Sequence, residues 1–229
     1  MNNWETLFDQ AMTCLQSIAM TGSPLPDWTF GGGTALMLRY RHRNSQDIDL
    51  FLLDPQWLPI LSPERNERIE SLVMDYEEGP TWLKLVLPLG EIDFIVAPAL
   101  TSRSFELTAI HNQCVAVETP AEIIAKKLHY RGAALRSRDL VDLAVVADRD
   151  PTSLWVSRSA WIHDLEAIRR RLDQMTTRYQ LEAPHLDLLP EGERYRHRAW
   201  DIAQTFVERV YAAEQDRKQP NADNEYEPD

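Results

Sequence analysis

Residues 31–51, GGGTALMLRYRHRNSQDIDLF, decide how this chain is read. The glycines follow Trp28-Thr29-Phe30, a short strand candidate, and run into Thr34–Tyr40, which favours helix. Asp47 and Asp49 then open a second apolar run, IDLFLL, which reads as a strand. Glycines at a strand-to-helix turn let backbone N–H groups and a helix N-terminus approach a phosphate closely. They serve equally well as a tight turn that needs positive φ. Residues i and i+2 of a strand share a face, so Asp47 and Asp49 are expected side by side. Two adjacent carboxylates are comfortable only with a cation between them or ample water. Magnesium, which takes oxygen ligands and keeps several waters, suits the first case; a solvent-facing strand end is the second.

Upstream, Trp4, Leu7, Phe8, Met12, Leu15 and Ile18 recur at helical spacing, so residues 4–20 are predicted helical. Downstream, residues 61–76 are expected to contain a third helix. WLKLVLPL and EIDFIVAPA then read as a β-hairpin about Gly90, with Pro88 near an edge or the turn. QCVAVE is a further strand. It ends at Thr119-Pro120-Ala121-Glu122, where threonine can cap, proline suits the first helical position and glutamate can bond back. Two helices follow, AEIIAKKLHYRGAAL and SRDLVDLAVVA. Beyond Pro151 the pattern is helical, in two long amphipathic stretches, 159–179 and 194–211. The expected division is a mixed core over 1–118, a helical domain over 119–215 and a disordered acidic tail over 216–229.

Composition narrows the function. A formal charge of −12 weighs against a surface coated for nucleic acid, without excluding a local basic groove. No apolar run approaches a membrane span and no secretion signal opens the chain, so a cytoplasmic, membrane-free protein is expected. Cys14 and Cys114 lack metal-ligand spacing and read as reduced and buried. No HExxH, nucleophile elbow or Walker-type GK[ST] is present.

Two further clusters carry chemistry. Asp93 in Glu91-Ile92-Asp93-Phe94-Ile95 lies within an apolar strand, and a buried carboxylate needs a partner. Beside the Asp47-Ile48-Asp49 strand it would complete a three-carboxylate set; an edge acid is the plainer alternative. The run from Lys126 and Lys127 through Arg131 and Arg138 to Asp139 and Asp142 offers either a basic wall or a solvated, ion-paired helical surface.

The order glycines, D-x-D, then a third acid resembles the nucleotidyltransferase superfamily of polymerase β. Gly32-Gly33-Thr34-Ala35-Leu36 followed by Arg43-Asn44-Ser45-Gln46-Asp47-Ile48-Asp49 resembles the signature of the AbiEii/AbiGii toxin family. The later A-x-K-L and R-D-x-x-D-L motifs correspond to Lys127 and to Arg138, Asp139 and Asp142. The resemblance covers residues 28–147. It implies an α+β fold, a polymerase β-like core with a mixed sheet flanked by helices, followed by an all-α C-terminal region. The activity it implies is attack of an acceptor on the α-phosphate of a nucleoside triphosphate, with release of pyrophosphate. By the same resemblance, Asp47, Asp49 and Asp93 hold two magnesium ions, with manganese as a substitute, and Asp93 is a ligand or the base. Gly32, Gly33 and Thr34 would hold the triphosphate with Arg43 and Ser45. Lys127 would neutralise phosphate charge, and Asp142 with Asp139 would orient that lysine or touch the nucleotide. The acceptor would be RNA or a protein side chain, the context a type IV toxin–antitoxin or phage-defence system with a cognate antitoxin. Arg169–Arg171 and Arg194, Arg196 and Arg198 are candidates for holding RNA. A housekeeping or antibiotic-modifying nucleotidyltransferase and an inactive binding module of the same fold are the alternatives.

Overall fold

A computed structural model describes residues 3–20 and 22–218. Helices α1 (Asn3–Ala19) and α2 (Gly32–Tyr40) lie among the first strands, with short helices α3 (Leu58–Leu61) and α4 (Glu67–Glu70) after them. The strands are β1 (Trp28–Gly31), β2 (Ile48–Leu52), β3 (Asp75–Gly79), β4 (Trp82–Leu87), β5 (Gly90–Val96), β6 (Phe105–Ile110) and β7 (Gln113–Glu118). They form one mixed sheet in the order β3-β4-β5-β2-β1-β7-β6. Helices α5 (Pro120–Arg131), α6 (Ser137–Arg149), α7 (Pro151–Val156), α8 (Leu165–Glu182) and α9 (Ala199–Lys218) complete the described chain. This is the architecture the sequence led us to expect. The chain divides into two compact units, one holding residues 1–123 and 187–193, the other 124–186 and the residues from 194.

The first unit follows from period-two burial. Ile48, Leu50 and Leu52 of β2 are fully buried, as are Ile92 and Phe94 of β5 and Phe30 of β1. Antiparallel and parallel registers align Phe30 with Leu50 and Leu50 with Phe94, so these side chains share one face. Helix α1 covers that face with Leu7, Phe8, Ala11, Leu15 and Ile18, and the Phe8 and Phe30 rings lie 5.3 Å apart. Each large apolar side chain so buried contributes about 1.5–3 kcal/mol. The alternate residues, Asp49, Phe51, Glu91, Asp93 and Ile95, occupy the opposite face and are half-buried.

Several details depart from the sequence reading. The helix expected within 61–76 is present but short, α4 alone. Pro63 opens a single 3₁₀ turn, Asn66 restarts the chain by accepting from the Ile69 N–H at 3.3 Å, and Asp75 and Tyr76 join β3. Strand β6 is an addition, joined to β7 by His111-Asn112, both at positive φ, a two-residue hairpin turn. Thr119 does cap α5, accepting from the Glu122 N–H at 3.3 Å. The Glu122 carboxylate instead accepts from the N–H groups of Leu100 and Thr101 and from the Thr101 hydroxyl, tying down the loop before β6. Cys14 is buried, but Cys114 is exposed on β7.

In the second unit α6, α8 and α9 enclose Leu140, Leu143, Leu172, Tyr179 and Val207, with Trp161 fully buried. The Tyr179 hydroxyl donates to the Arg196 carbonyl at 2.8 Å. Of the expected tail, residues 216–218 end α9, and 219–229 lie outside the described residues. No helix among the described residues is long and apolar enough to cross a membrane.

Candidate active site

Four adjacent strands of the first unit align one row of residues across the half-buried face. Lys84 on β4 stands opposite Asp93 on β5, Asp93 beside Asp49 on β2, and Asp49 opposite Gly31 on β1. Two carboxylates on neighbouring strands repel. Burial, then the charge of Asp49, push the Asp93 carboxyl up to about 7, with Lys84 opposing and Glu91 and Asp47 adding to the rise. Lys84 donates to Glu91 Oε2 at 2.6 Å. That bond first, against partial burial, and then the charges of Asp93, Glu91 and Asp47 hold its ammonium above the usual lysine range.

The glycine turn closes over this row. Gly31 ends β1 and Gly32 opens α2 with φ +68, so the turn takes the left-handed conformation that glycine tolerates. A Cβ on Gly32 would overlap the Asp49 carboxylate, and one on Gly33 would overlap the Arg43 guanidinium and meet Ser45 Oγ at 2.8 Å. The N-terminus of α2 therefore sits directly against Asp49 on one side and Arg43 and Ser45 on the other. Such a terminus presents N–H groups and a partial positive charge. The Thr34 side chain is fully buried, and its hydroxyl donates to the Asp47 carbonyl at 2.6 Å. Thr34 is thus a fastener between α2 and the loop that delivers Asp47, and its hydroxyl is committed there.

The three expected carboxylates differ in how they are placed. Strand β2 begins at Ile48, one residue after Asp47, so the i, i+2 rule does not govern that side chain. Asp47 Oδ1 accepts from the Glu91 N–H at 3.3 Å, and among the described residues no three acids, histidines or cysteines are gathered as metal ligands. Asp49 and Asp93 do come together. As a pair of oxygen donors they fit a hard divalent cation of the kind that completes its shell with water and substrate phosphate.

In the second unit Lys127 Nζ lies 2.6 Å from Asp139 and 3.0 Å from Asp142, both carboxylates having no exposure. Asp139 Oδ2 also accepts from the Arg136 N–H at 3.0 Å. Burial raises the Asp139 carboxyl, but the Lys127 charge and these hydrogen bonds outweigh it and hold the group below the usual carboxylate range. The basic wall is therefore not formed by Lys127, which is enclosed by acids; Lys126 is buried, and Arg131 and Arg138 are exposed. The arginines proposed for RNA are largely engaged. Arg169 forks onto Glu208 at 2.9 and 3.0 Å and stacks over Tyr211, Arg171 donates to the Leu135 carbonyl, Arg194 pairs with Asp148, and Arg196 donates to the Ala183 and Leu186 carbonyls.

Sequence reasoning passed over Lys84 and Glu118. The period-two pattern of WLKLVL carried the signal for Lys84, since Leu83 and Leu85 face the core and the lysine must face away. Glu118 is buried at the end of β7, accepts from the Thr29 hydroxyl at 2.9 Å and crowds Gly31, so it props the glycine turn from behind.

A family model described as the nucleotidyl transferase AbiEii toxin of a type IV toxin–antitoxin system matches residues 14–223. No curated protein matches the chain. Among solved structures, the crystal structure of ANT(2″)-Ia in complex with adenylyl-2″-tobramycin is similar with TM-score 0.48 and 16% identity, covering 69% of this chain and 98% of that one. A solution structure of the antibiotic-resistance factor ANT(2″)-Ia gives TM-score 0.39 and 16% identity over 93% of this chain and 96% of that one.

Proposed function

Because this chain belongs to the AbiEii nucleotidyl transferase family, we propose that it moves a nucleoside monophosphate from a nucleoside triphosphate to an RNA or protein acceptor as the toxin of a type IV toxin–antitoxin pair. The observation that carries this reading is the glycine turn of α2 set against Asp49, which is itself beside Asp93. A site that holds donors for phosphate next to paired carboxylates suits phosphoryl transfer, where catalysis is positioning and charge neutralisation.

The Gly32 and Gly33 N–H groups, at the start of α2, bind triphosphate oxygens, with Arg43 and Ser45 flanking Gly33. Asp49 and Asp93 hold magnesium, which when bound neutralises phosphate charge and orients the attacking and leaving oxygens. Where Asp93 is not a ligand, it is the base that accepts the proton of the acceptor hydroxyl. Asp47, bonded to the Glu91 N–H, fixes the start of β2 and adds negative charge to the row. In the second unit, Lys127, held by Asp139 and Asp142, is the candidate that the A-x-K-L motif offers for a phosphate contact.

Incubating the protein with each labelled nucleoside triphosphate, magnesium and total cellular RNA and protein tests the reading. One macromolecular fraction should acquire label, and Asp49→Asn should abolish it. Labelling that persists in Asp49→Asn, or no labelling in either fraction with any nucleotide, would overturn it.

A further inference from the structure

The acid face of the first unit carries its own cation. Among the charges acting on Asp93 are those of Asp49, Glu91 and Asp47, all negative, and of Lys84, which is positive. Lys84 is placed by register: β4 pairs antiparallel with β5, which sets it directly opposite Asp93, with Glu91 two residues along on the same face. Its ammonium bonds Glu91 Oε2 at 2.6 Å, yet the two side chains keep 28% and 40% exposure. The lysine is therefore tethered by a flexible stem at the edge of the acid row, where its charge can be displaced without breaking the core.

We propose that Lys84 is a positioning residue, the resident counter-cation of the Asp49–Asp93 row, and that it sets how much divalent cation is needed to occupy that row. The inference rests on the reading that Asp49 and Asp93 hold the cation. In the free protein the ammonium offsets the repulsion between the two carboxylates. When a divalent ion arrives, the same ammonium opposes it, because two positive centres then share one acid cluster in a partly desolvated site. A lysine that only completed a cross-strand pair would stabilise the sheet and leave cation affinity alone.

Calorimetric titration of the full chain with manganese alone, at fixed pH and without nucleotide, separates these cases. Lys84→Met and Lys84→Gln should each bind manganese roughly tenfold more tightly than the wild type, the size expected for removing one nearby positive charge. Lys84→Arg, which keeps the charge, should match the wild type. In chelator the two neutral variants should melt below the wild type, and saturating manganese should close that gap. Unchanged or weaker binding in both neutral variants, with Asp49→Asn still abolishing binding, would overturn the role of Lys84 while leaving the acid row as the cation site. Manganese binding that survives Asp49→Asn undiminished would overturn the acid-row reading and this inference together.

Discussion

Asp49 and Asp93 are direct cross-strand partners, one on β2 and one on β5, in parallel register on the same half-buried face. Like charges directly opposite destabilise a sheet, so folding alone gives no reason to keep both. Asp49→Asn and Asp93→Asn should each abolish nucleotidyl transfer. Both should melt at or above the wild-type temperature in chelator, because each removes a repulsion; a gain of about 1 kcal/mol corresponds to roughly 2–4 °C in a chain of this size. Thermal melts beside a transfer assay check this, and a variant that lost activity by melting early would sink it.

Gly32 combines φ +68 with contact to the Asp49 carboxylate, so Gly32→Ala meets both backbone strain and overlap. The cost should be about 1–3 kcal/mol, with transfer lost. Gly33 lacks positive φ, and its obstruction is the far end of Arg43 with Ser45. Gly33→Ala should therefore fold nearly as well as the wild type and chiefly raise the KM for the nucleotide, as Arg43 is pushed aside. Urea melts and steady-state kinetics on the two variants distinguish these outcomes.

These two glycines show what the sequence could and could not convey. The pattern of glycines, Asp49 and Asp93 was legible because strand period two and strand-to-helix turn chemistry are local, and the core alternation of β2, β4 and β5 repeats it. The placing of the Asp47 side chain was less legible, because it precedes β2 and strand boundaries are set by pairing with β5 rather than by local propensity. Lys84 stayed hidden because its meaning lies in a register with Asp93 that no spacing along the chain reveals. The entry of Asp75 and Tyr76 into β3 and the β6 strand were decided by sheet pairing, a long-range effect that overrides the helical and loop character of those segments.

The two thiols should behave oppositely. Burial pushes the Cys14 thiol up to about 12, partly offset by Arg68, so almost no thiolate forms at neutral pH. Cys114 is exposed on β7. Iodoacetamide at pH 8 should alkylate Cys114 within minutes and reach Cys14 only in denaturant. Mass spectrometry of the native protein showing two fast-reacting thiols would contradict the packing of α1.

Lys127 is enclosed by two carboxylates that have no exposure, which changes what its substitution can report. Removing the ammonium leaves two buried anions uncompensated, a loss of about 3–5 kcal/mol for a broken buried pair. Lys127→Ala should therefore lower the stability of the protein as well as its activity, so kinetics on that variant need a melt alongside. Asp139→Asn isolates the pH dependence. The Asp139 carboxyl is held below its ordinary range in the folded protein, so its contribution is fully present above the unfolded value of about 3.9. It is lost as pH falls through the lower folded value. The stability gap between wild type and Asp139→Asn should stay constant from pH 8 to 5 and shrink only below about pH 4. A gap that instead closed between pH 6 and 8 would mean that Asp139 is not the ionised partner of Lys127.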